Sequence, residues 1–333
     1  MQFNYFLGID TSKTKLDLCI YDGKQIIVEL EIKNSFSILS KLFKQLKEIK
    51  PDICVANTLI CVEHTGIYNN HLFRIAALKN WSLVVEPAIQ IKKSIGIQRG
   101  KNDRIDAFRI AKYAYKNREE LRLWKPVSET LQQIKALHTQ RSILMKCKLQ
   151  LLQSISEDKT FQSKEIQKVK AKNLNRPVQS LEKAIKNVDT QIDELIKSDP
   201  ELKRMDKIIT SVSGVGRQNS VLFLVCTNAF KTIKDPRKYA CYGGVAPFQY
   251  TSGSSIKGKP RVSKQANMNV KSALQMAAIN AFRCDPELKL YYNRKVSSGK
   301  HKMSVLNAIR NKIIHRVFAC VLQDRMYVPA IIN

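Results

Sequence analysis

The middle of the chain, from Leu131 to about Ile196, repeats its apolar residues at the spacing of long helices. One series falls on every seventh residue: Leu137, Leu144 and Leu151. A second series follows a predicted break at residues 173–177 and has 4-3-4-3 spacing: Leu181, Ile185, Val188, Ile192 and Leu195. Such spacing is typical of a coiled-coil seam, and it predicts an arm of two long antiparallel helices joined by a turn. The alternative is an ordinary helical hairpin packed on its own domain.

This arm separates an α/β region from a mostly helical region. In residues 4–31 apolar and polar side chains alternate as in strands, and Asp22-Gly23 is a strong hairpin signal. Alternating helix and strand patterns follow, up to a helix that begins near Asp103. We therefore predict an α/β domain at residues 1–130, the coiled-coil arm at 131–199, a mostly helical domain at 200–325 and a tail at 326–333.

The charge of the chain points to a polyanionic partner. Lys and Arg number 57 against 28 Asp and Glu, which gives a formal net charge of +29. A charge this large repels itself unless a partner neutralises it, and nucleic acid does so with release of counterions. A ribosome-associated role or a Lys-rich proteome would produce the same balance, and an anionic membrane surface is a minor alternative.

The compartment follows from what the sequence lacks. It contains no run of 18 apolar residues that would predict a transmembrane helix, and its start has no signal-type stretch. None of the eight cysteines lies in a CxxC pair, so zinc-finger spacing is absent and the thiols fit a reducing compartment. We expect a cytoplasmic bacterial protein that associates with the nucleoid when bound to DNA.

Four acidic residues lie where strands end or a helix begins. Asp10 ends the first strand, Glu63 ends a later one, and Asp103 and Asp106 lie three residues apart on one face of a helix. Taken singly, each has a duller explanation as a turn cap, an ion-pair partner or a helix-dipole partner. Together they predict a site for Mg²⁺ or Mn²⁺, because hard oxygen ligands suit these ions and two of them can clamp a phosphodiester.

Residues 209–225 have the pattern of a helix-hairpin-helix around Gly214-Val215-Gly216. Glycines at such a turn let backbone N–H groups approach a DNA phosphate, so we predict phosphate contacts at Gly214 and Gly216. The alternative is a plain connection between two helices.

Residues 242–274 combine glycines, prolines and basic side chains, which predicts a loop. Its basic residues are candidates for nucleic-acid binding: Lys257, Lys259, Arg261 and Lys264. A serine in such a loop is by itself a weak sign of catalysis.

Both sets of motifs resemble those of the IS110 family of insertion-sequence transposases, relatives of the Piv-type DNA invertases. The first set is GIDTSK, EHTGIY and KNDRIDA; the second is GG-x-x-P, Ser252-Gly253, Gly258 and Ser263-Lys264 with Asn267. The resemblance covers residues 4–320. It implies a RuvC-like, RNase H-like α/β domain with a DEDD carboxylate set, then a coiled-coil arm, then a helical transposase domain that contains a serine.

The resemblance also implies a chemistry. Asp10, Glu63, Asp103 and Asp106 would bind Mg²⁺ or Mn²⁺, as two ions, and the metal cluster of one subunit would act with the serine of another. Ser252 would attack DNA and carry a covalent phosphoserine link. Donor and target DNA would be chosen by a non-coding bridge RNA, and the protein would assemble as a homodimer or homotetramer.

Some assignments stay open within this resemblance. Ser254 and Ser255 are close enough in sequence to take the nucleophile role, and Tyr250 is a further alternative. Ala266 stands where the family commonly has Gly, which bears on the local turn. A RuvC-like, structure-specific endonuclease that acts by hydrolysis would need the carboxylates but no serine, and a non-catalytic nucleic-acid-binding protein would need neither.

Overall fold

The computed structural model describes residues 3–96, 103–252, 256–262 and 265–329. The chain divides into two compact units, Met1–Pro126 and Val127–Asn333. The first unit has mixed α/β structure, and the second is mostly helical, which confirms the α/β plus α fold class in its coarse form. The boundary after Pro126 lies close to the predicted boundary at residue 130.

Among its described residues, the first unit contains five strands and four α-helices. In chain order they are β1 Tyr5–Thr11, β2 Lys15–Tyr21, β3 Ile26–Lys33, α1 Phe36–Ile49, β4 Thr58–Glu63, α2 Asn70–Lys79, β5 Leu83–Glu86, α3 Ala88–Ile95 and α4 Asp103–Asn117. Asp22 accepts hydrogen bonds from the amides of Lys24 and Gln25, so the predicted Asp22-Gly23 turn between β2 and β3 is confirmed.

These strands form one sheet in the order β3-β2-β1-β4-β5. The first three strands are an antiparallel meander, and β4 and β5 run parallel to β1. Leu7 and Ile9 face the core that contains α1 and α2, whereas Phe6 faces the core that contains α3 and α4. Both faces of the central strand are therefore covered, and the end of β1 lies under α4.

The second unit contains eight helices and two strands among its described residues. In chain order they are α5 Glu129–Phe161, α6 Lys164–Ser198, α7 Pro200–Ser211, α8 Arg217–Thr227, α9 Pro236–Tyr242, β6 Pro247–Ser252, β7 Ile256–Val262, α10 Met268–Cys284, α11 Pro286–Ser297 and α12 Lys302–Leu322. Its core joins Phe223 of α8, Tyr239 of α9 and Phe318 of α12 in one aromatic cluster.

Helices α5 and α6 form a long hairpin. The ion pairs Arg141–Asp189 and Lys148–Glu182 link residues that advance along α5 and retreat along α6, so the two helices are antiparallel. The predicted break at residues 173–177 is wrong, because α6 continues through Pro177. Proline removes one helical hydrogen bond, and the exposed position of residue 173 lets water satisfy the freed carbonyl. The coiled coil itself stays a prediction.

The segment predicted as a loop at 242–274 is also different from the expectation. It contains an antiparallel hairpin of β6 and β7, followed by the start of α10. Pro247 and Pro260 suggested a loop, but a two-stranded sheet consists of edge strands only, where a missing N–H is tolerated.

All eight cysteines are free thiols, and Cys19, Cys61 and Cys320 are buried. Within the described parts of the chain, no helix combines the length and the apolar character needed to cross a membrane.

Candidate carboxylate site and serine hairpin

Asp10 is the next-to-last residue of β1, and Glu63 is the last residue of the neighbouring parallel strand β4. The register between β1 and β4, continued by one residue, puts Asp10 beside Glu63. Phe6 of β1 and Leu59 of β4 belong to the core that α4 covers, and side chains of a strand alternate between faces. Asp10 and Glu63 therefore share the face on which α4 lies.

Gly8 determines how close α4 comes to this face. A Cβ atom at Gly8 would overlap the carbonyl oxygen of Ala107 and the backbone nitrogen of Ala111. The backbone of α4 thus rests directly on β1, two residues before Asp10. The first turn of α4, which carries Asp103 and Asp106, lies next to the end of the strand as a result.

The electrostatics of Asp10 reflect this convergence. Burial raises the pKa of Asp10, and the negative charges of Asp103, Asp106, Glu63 and Asp17 raise it further, to about 6. Carboxylates brought together without a counter-charge disfavour one another's ionised form. The structure thus brings the four predicted acidic residues into one electrostatic cluster.

Basic side chains already engage the two carboxylates of α4. Lys15 Nζ lies 3.1 Å from Asp103 Oδ2, and Arg109 Nη1 lies 2.7 Å from Asp106 Oδ1. Hydrogen bonds to Asp103, Asp17 and Glu31 raise the pKa of Lys15, so this side chain stays protonated.

Asp17 and Glu86 belong to this region and were missed by the sequence interpretation. Asp17 is the cross-strand partner of Asp10 and is only 3% exposed. Glu86 is the cross-strand partner of Glu63 at the end of β5, and burial raises its pKa. The sequence offered one signal for them, a single acidic residue in each otherwise apolar strand. That signal could not assign them to the site, because the face of the sheet on which each side chain lies depends on the strand register.

The donor set of this cluster fits a hard divalent cation. Its charged groups are carboxylates, the ligands that Mg²⁺ and Mn²⁺ prefer. In this conformation, however, no three carboxylate, imidazole or thiol groups among the described residues lie close enough together to hold a metal ion. Asp103 and Asp106 are turned to Lys15 and Arg109, so metal binding requires a change of side-chain orientation there.

In the second unit, α7, a short turn and α8 have the helix-turn-helix arrangement predicted for residues 209–225. Gly214 has φ +83°, and a Cβ atom there would overlap the Ala277 carbonyl and the Ala281 side chain of α10. Gly216 is exposed, is the N-cap residue that precedes α8, and has open space around it. Packing alone therefore explains Gly214, whereas Gly216 is free to approach a ligand; a DNA contact at either stays a prediction.

Arg217, in the first turn of α8, is bound to the helical hairpin. Its guanidinium lies 2.6 Å from Asp189 and 2.5 Å from Asp193 of α6. Although burial opposes ionisation, Arg141 and Arg217 hold the pKa of Asp189 below its ordinary value. This network fixes the base of the hairpin to the turn that contains Gly216.

Ser252 is the last residue of β6, and it pairs with Ile256 of β7. Arg261 of β7 is exposed. The side chains of Tyr250, Ser252, Lys257 and Lys259 lie outside what the structure describes, as do all atoms of Ser254, Ser255 and Lys264. Ser252, the predicted nucleophile, therefore has a described strand position but no described side-chain contacts.

Strands β6 and β7 form the hairpin that carries Ser252, which we call the serine hairpin. The chain segments on its two sides meet at Tyr242 and Asn267. The Asn267 amide N–H donates to the Tyr242 carbonyl at 2.8 Å, and Asn267 Nδ2 donates to the Tyr242 hydroxyl at 2.8 Å. Asn267 Oδ1 also accepts from the amides of Asn269 and Val270, which caps α10. Asn267, singled out in the sequence motif, thus closes the base of the segment that carries Ser252.

Two family models match the chain. The DEDD transposase model of IS110 elements matches residues 7–157, and the model described as "Transposase IS116/IS110/IS902 family" matches residues 206–293. The first span contains the four predicted carboxylates, and the second contains Ser252.

The chain is also similar to gene-inverting proteins and to a protein of an insertion element. The chain is 27% identical over 329 residues to the "Pilin gene-inverting protein" of Moraxella bovis, with 97% of each chain covered. It is 28% identical to the protein of that name in Moraxella lacunata, again over 97% of each chain. A match of 28% over 138 residues, 41% of this chain and 32% of the other, links it to an uncharacterized 43.6 kDa protein of insertion element IS110 in Streptomyces coelicolor.

Proposed function

The chain belongs to the IS110 family of transposases, and we propose that it cuts and rejoins DNA with a serine nucleophile and a divalent cation. DNA recombination is the activity of the family; the serine and the metal are our proposal for how this chain performs it. The observation that carries the proposal is the convergence of Asp10 and Glu63 of the sheet with Asp103 and Asp106 in the first turn of α4.

The carboxylates would hold Mg²⁺ or Mn²⁺. When bound, such ions neutralise the charge that develops on a phosphodiester and increase the acidity of a coordinated hydroxyl. Asp10 and Glu63 project from strands on which a helix rests directly, so their backbone positions are fixed. Asp103 and Asp106 lie on the first turn of that helix and are positioned by the Gly8 contact.

Ser252 would be the nucleophile. Its hydroxyl oxygen would form an ester bond to a DNA phosphorus while the phosphorus–oxygen bond to one strand end breaks. The phosphoserine link conserves the energy of the phosphodiester, so a second strand end can displace the serine and restore a continuous backbone without ATP. Ser254 and Ser255, which follow closely in the sequence, are the alternatives.

The basic surface would hold nucleic-acid backbones. A net charge of +29 suits a protein that contacts both DNA and an RNA. We propose that a bridge RNA supplies base-specific reading, with contributions to backbone binding from Gly216, Lys257, Lys259, Arg261 and Lys264. Assembly as a dimer or tetramer is part of the proposal, and the helical hairpin of α5 and α6 is the element proposed to support it.

A hydrolytic RuvC-like endonuclease is the second candidate. The strand order β3-β2-β1-β4-β5, with an antiparallel meander followed by parallel strands, supports a RuvC-like domain and would serve either enzyme. The serine hairpin and its clamp by Asn267 have no use in a hydrolytic reaction, which favours the recombinase.

A trapping assay separates these two functions. Purified protein is incubated with RNA from its flanking DNA, Mg²⁺ and labelled donor and target duplexes, and label on denatured protein is measured. We expect an adduct that Ser252→Ala and Asp10→Asn both abolish. Ser254→Ala and Ser255→Ala are the matched controls and retain it. Free cleaved DNA without any adduct, dependent on Asp10 and Glu63 but not on Ser252, would establish the hydrolytic enzyme instead.

A further inference from the structure

Lys15 lies at the centre of three carboxylates on the edge of the proposed metal site. It begins β2, and its Nζ atom is 3.1 Å from Asp17 Oδ2, 3.1 Å from Glu31 Oε2 and 3.1 Å from Asp103 Oδ2. These partners come from β2, β3 and α4, so one ammonium group links three elements of the first unit.

The partners of Lys15 differ in how firmly they are held. The Asp17 side chain is 4% exposed, whereas those of Glu31 and Asp103 are 51% and 52% exposed. Asp17 is therefore a fixed anchor beneath Lys15. Because Asp17 holds the Lys15 ammonium group, that group lies close to the start of α4, where Asp103 is the first residue of the helix.

Asp17 itself would otherwise add a fifth carboxylate to the cluster. It is the cross-strand partner of Asp10 in the antiparallel pairing of β1 and β2. Because Lys15 neutralises Asp17 at 3.1 Å, the charge of Asp17 is taken up by a side chain of the protein rather than by a bound cation.

We propose that Lys15 is a positioning residue of the carboxylate site: it holds Asp103 in place at the start of α4 and keeps Asp17 out of the metal-binding set. This inference rests on the proposed function, since it concerns the same site. Lys15 and a divalent cation compete for the Asp103 carboxylate, so the lysine lowers metal affinity while it improves the geometry for reaction.

The competition predicts opposite effects on binding and on reaction. Without Lys15, Asp103 and Asp17 lose their counter-charge, and Mn²⁺ should bind about fivefold more tightly. Asp103 also loses its support, and misplacement of a catalytic group by a fraction of an ångström lowers the reaction rate, here by about tenfold or more. A lysine that merely stabilised the fold would lower both.

The test measures both quantities on the full-length chain. Mn²⁺ affinity is determined by titration calorimetry at pH 7.5, and serine-adduct formation by the trapping assay, for wild type and Lys15→Met. Lys33→Met is the matched control, because Lys33 is the exposed cross-strand neighbour of Lys15 on β3 and its loss changes the net charge equally. We expect tighter Mn²⁺ binding with slower adduct formation in Lys15→Met, and neither change in Lys33→Met.

Two results overturn the inference in distinguishable ways. Mn²⁺ affinity that is unchanged or weaker in Lys15→Met, while wild type binds the ion, rejects the role of Lys15 alone. Failure of wild type to bind Mn²⁺ rejects the metal site and Lys15 with it. If Lys15→Met does not fold, Lys15→Gln replaces it under the same criteria, since its amide can still donate to Asp17.

Discussion

At the scale of single residues, Asp10 lies where burial and four neighbouring carboxylates all oppose its ionisation. Its pKa of about 6 exceeds the ordinary value of 3.8, so the folded protein binds this proton more tightly than the unfolded chain does. The stability that Asp10 contributes is therefore present at low pH and is lost as pH rises through about 6. A divalent cation bound as proposed would offset the repulsion that causes this loss.

The raised pKa of Asp10 predicts how the stability of the protein changes with pH. In EDTA, the Tm of wild type relative to Asp10→Asn should fall between about pH 5 and pH 7.5, because the asparagine carries no charge at either pH. Mn²⁺ should raise the wild-type Tm more at pH 7.5 than at pH 5, since protons compete with the cation for Asp10. Thermal melts of both proteins across this range provide the measurement. Parallel curves for the two proteins would contradict the raised pKa.

At the scale of elements, the close packing of α4 on β1 determines where the carboxylates of the helix lie. Gly8 is the residue that permits this contact, because its missing side chain makes room for the backbone at Ala107 and Ala111. The contact begins at Ala107, one turn after Asp103 and directly after Asp106, so any shift of the helix moves both carboxylates.

The substitution Gly8→Ala tests this close packing of α4 on β1 directly. The added methyl group meets helix backbone rather than a flexible side chain, so we expect a loss of about 3 kcal/mol in the free energy of unfolding. Because α4 must move away from β1, Mn²⁺ affinity should fall in the protein that remains folded. Urea denaturation and calorimetry measure the two effects. Full stability together with full metal affinity in Gly8→Ala would mean that the helix does not need this close approach.

At the scale of the whole molecule, we expect the surplus of basic residues to govern association with nucleic acid. A protein that contacts six or more phosphates loses about a thousandfold or more in affinity between 50 and 200 mM salt. With a net charge of +29, we expect this chain to show a dependence of that size with a duplex of arbitrary sequence. Fluorescence anisotropy at a series of salt concentrations measures it. A loss of less than about tenfold would mean that few phosphates are contacted and that the charge has another partner.

Much of the site could be predicted from the sequence because its signals are local. Strands that carry Asp10 and Glu63 at or near their ends follow from runs of apolar residues, and the shared helical face of Asp103 and Asp106 follows from their spacing. The helices on either side of Gly214 follow in the same way. The segment around Ser252 was harder, since its prolines and glycines are as common in loops as in an exposed two-stranded hairpin.

What the sequence determined by itself is that Asp10 and Glu63 lie near the ends of strands and that Asp103 and Asp106 share one helical face, because helical and strand periodicity depend only on neighbours along the chain. Only the tertiary structure decided that α4 lies on the Asp10 face, that Asp17 is buried beside Asp10, and that Lys15 joins Asp103 to two strands. These features depend on strand register and on contacts between residues such as Lys15 and Asp103, which are remote in the chain. Their energies arise from burial and charge at those contacts, and no local pattern encodes them.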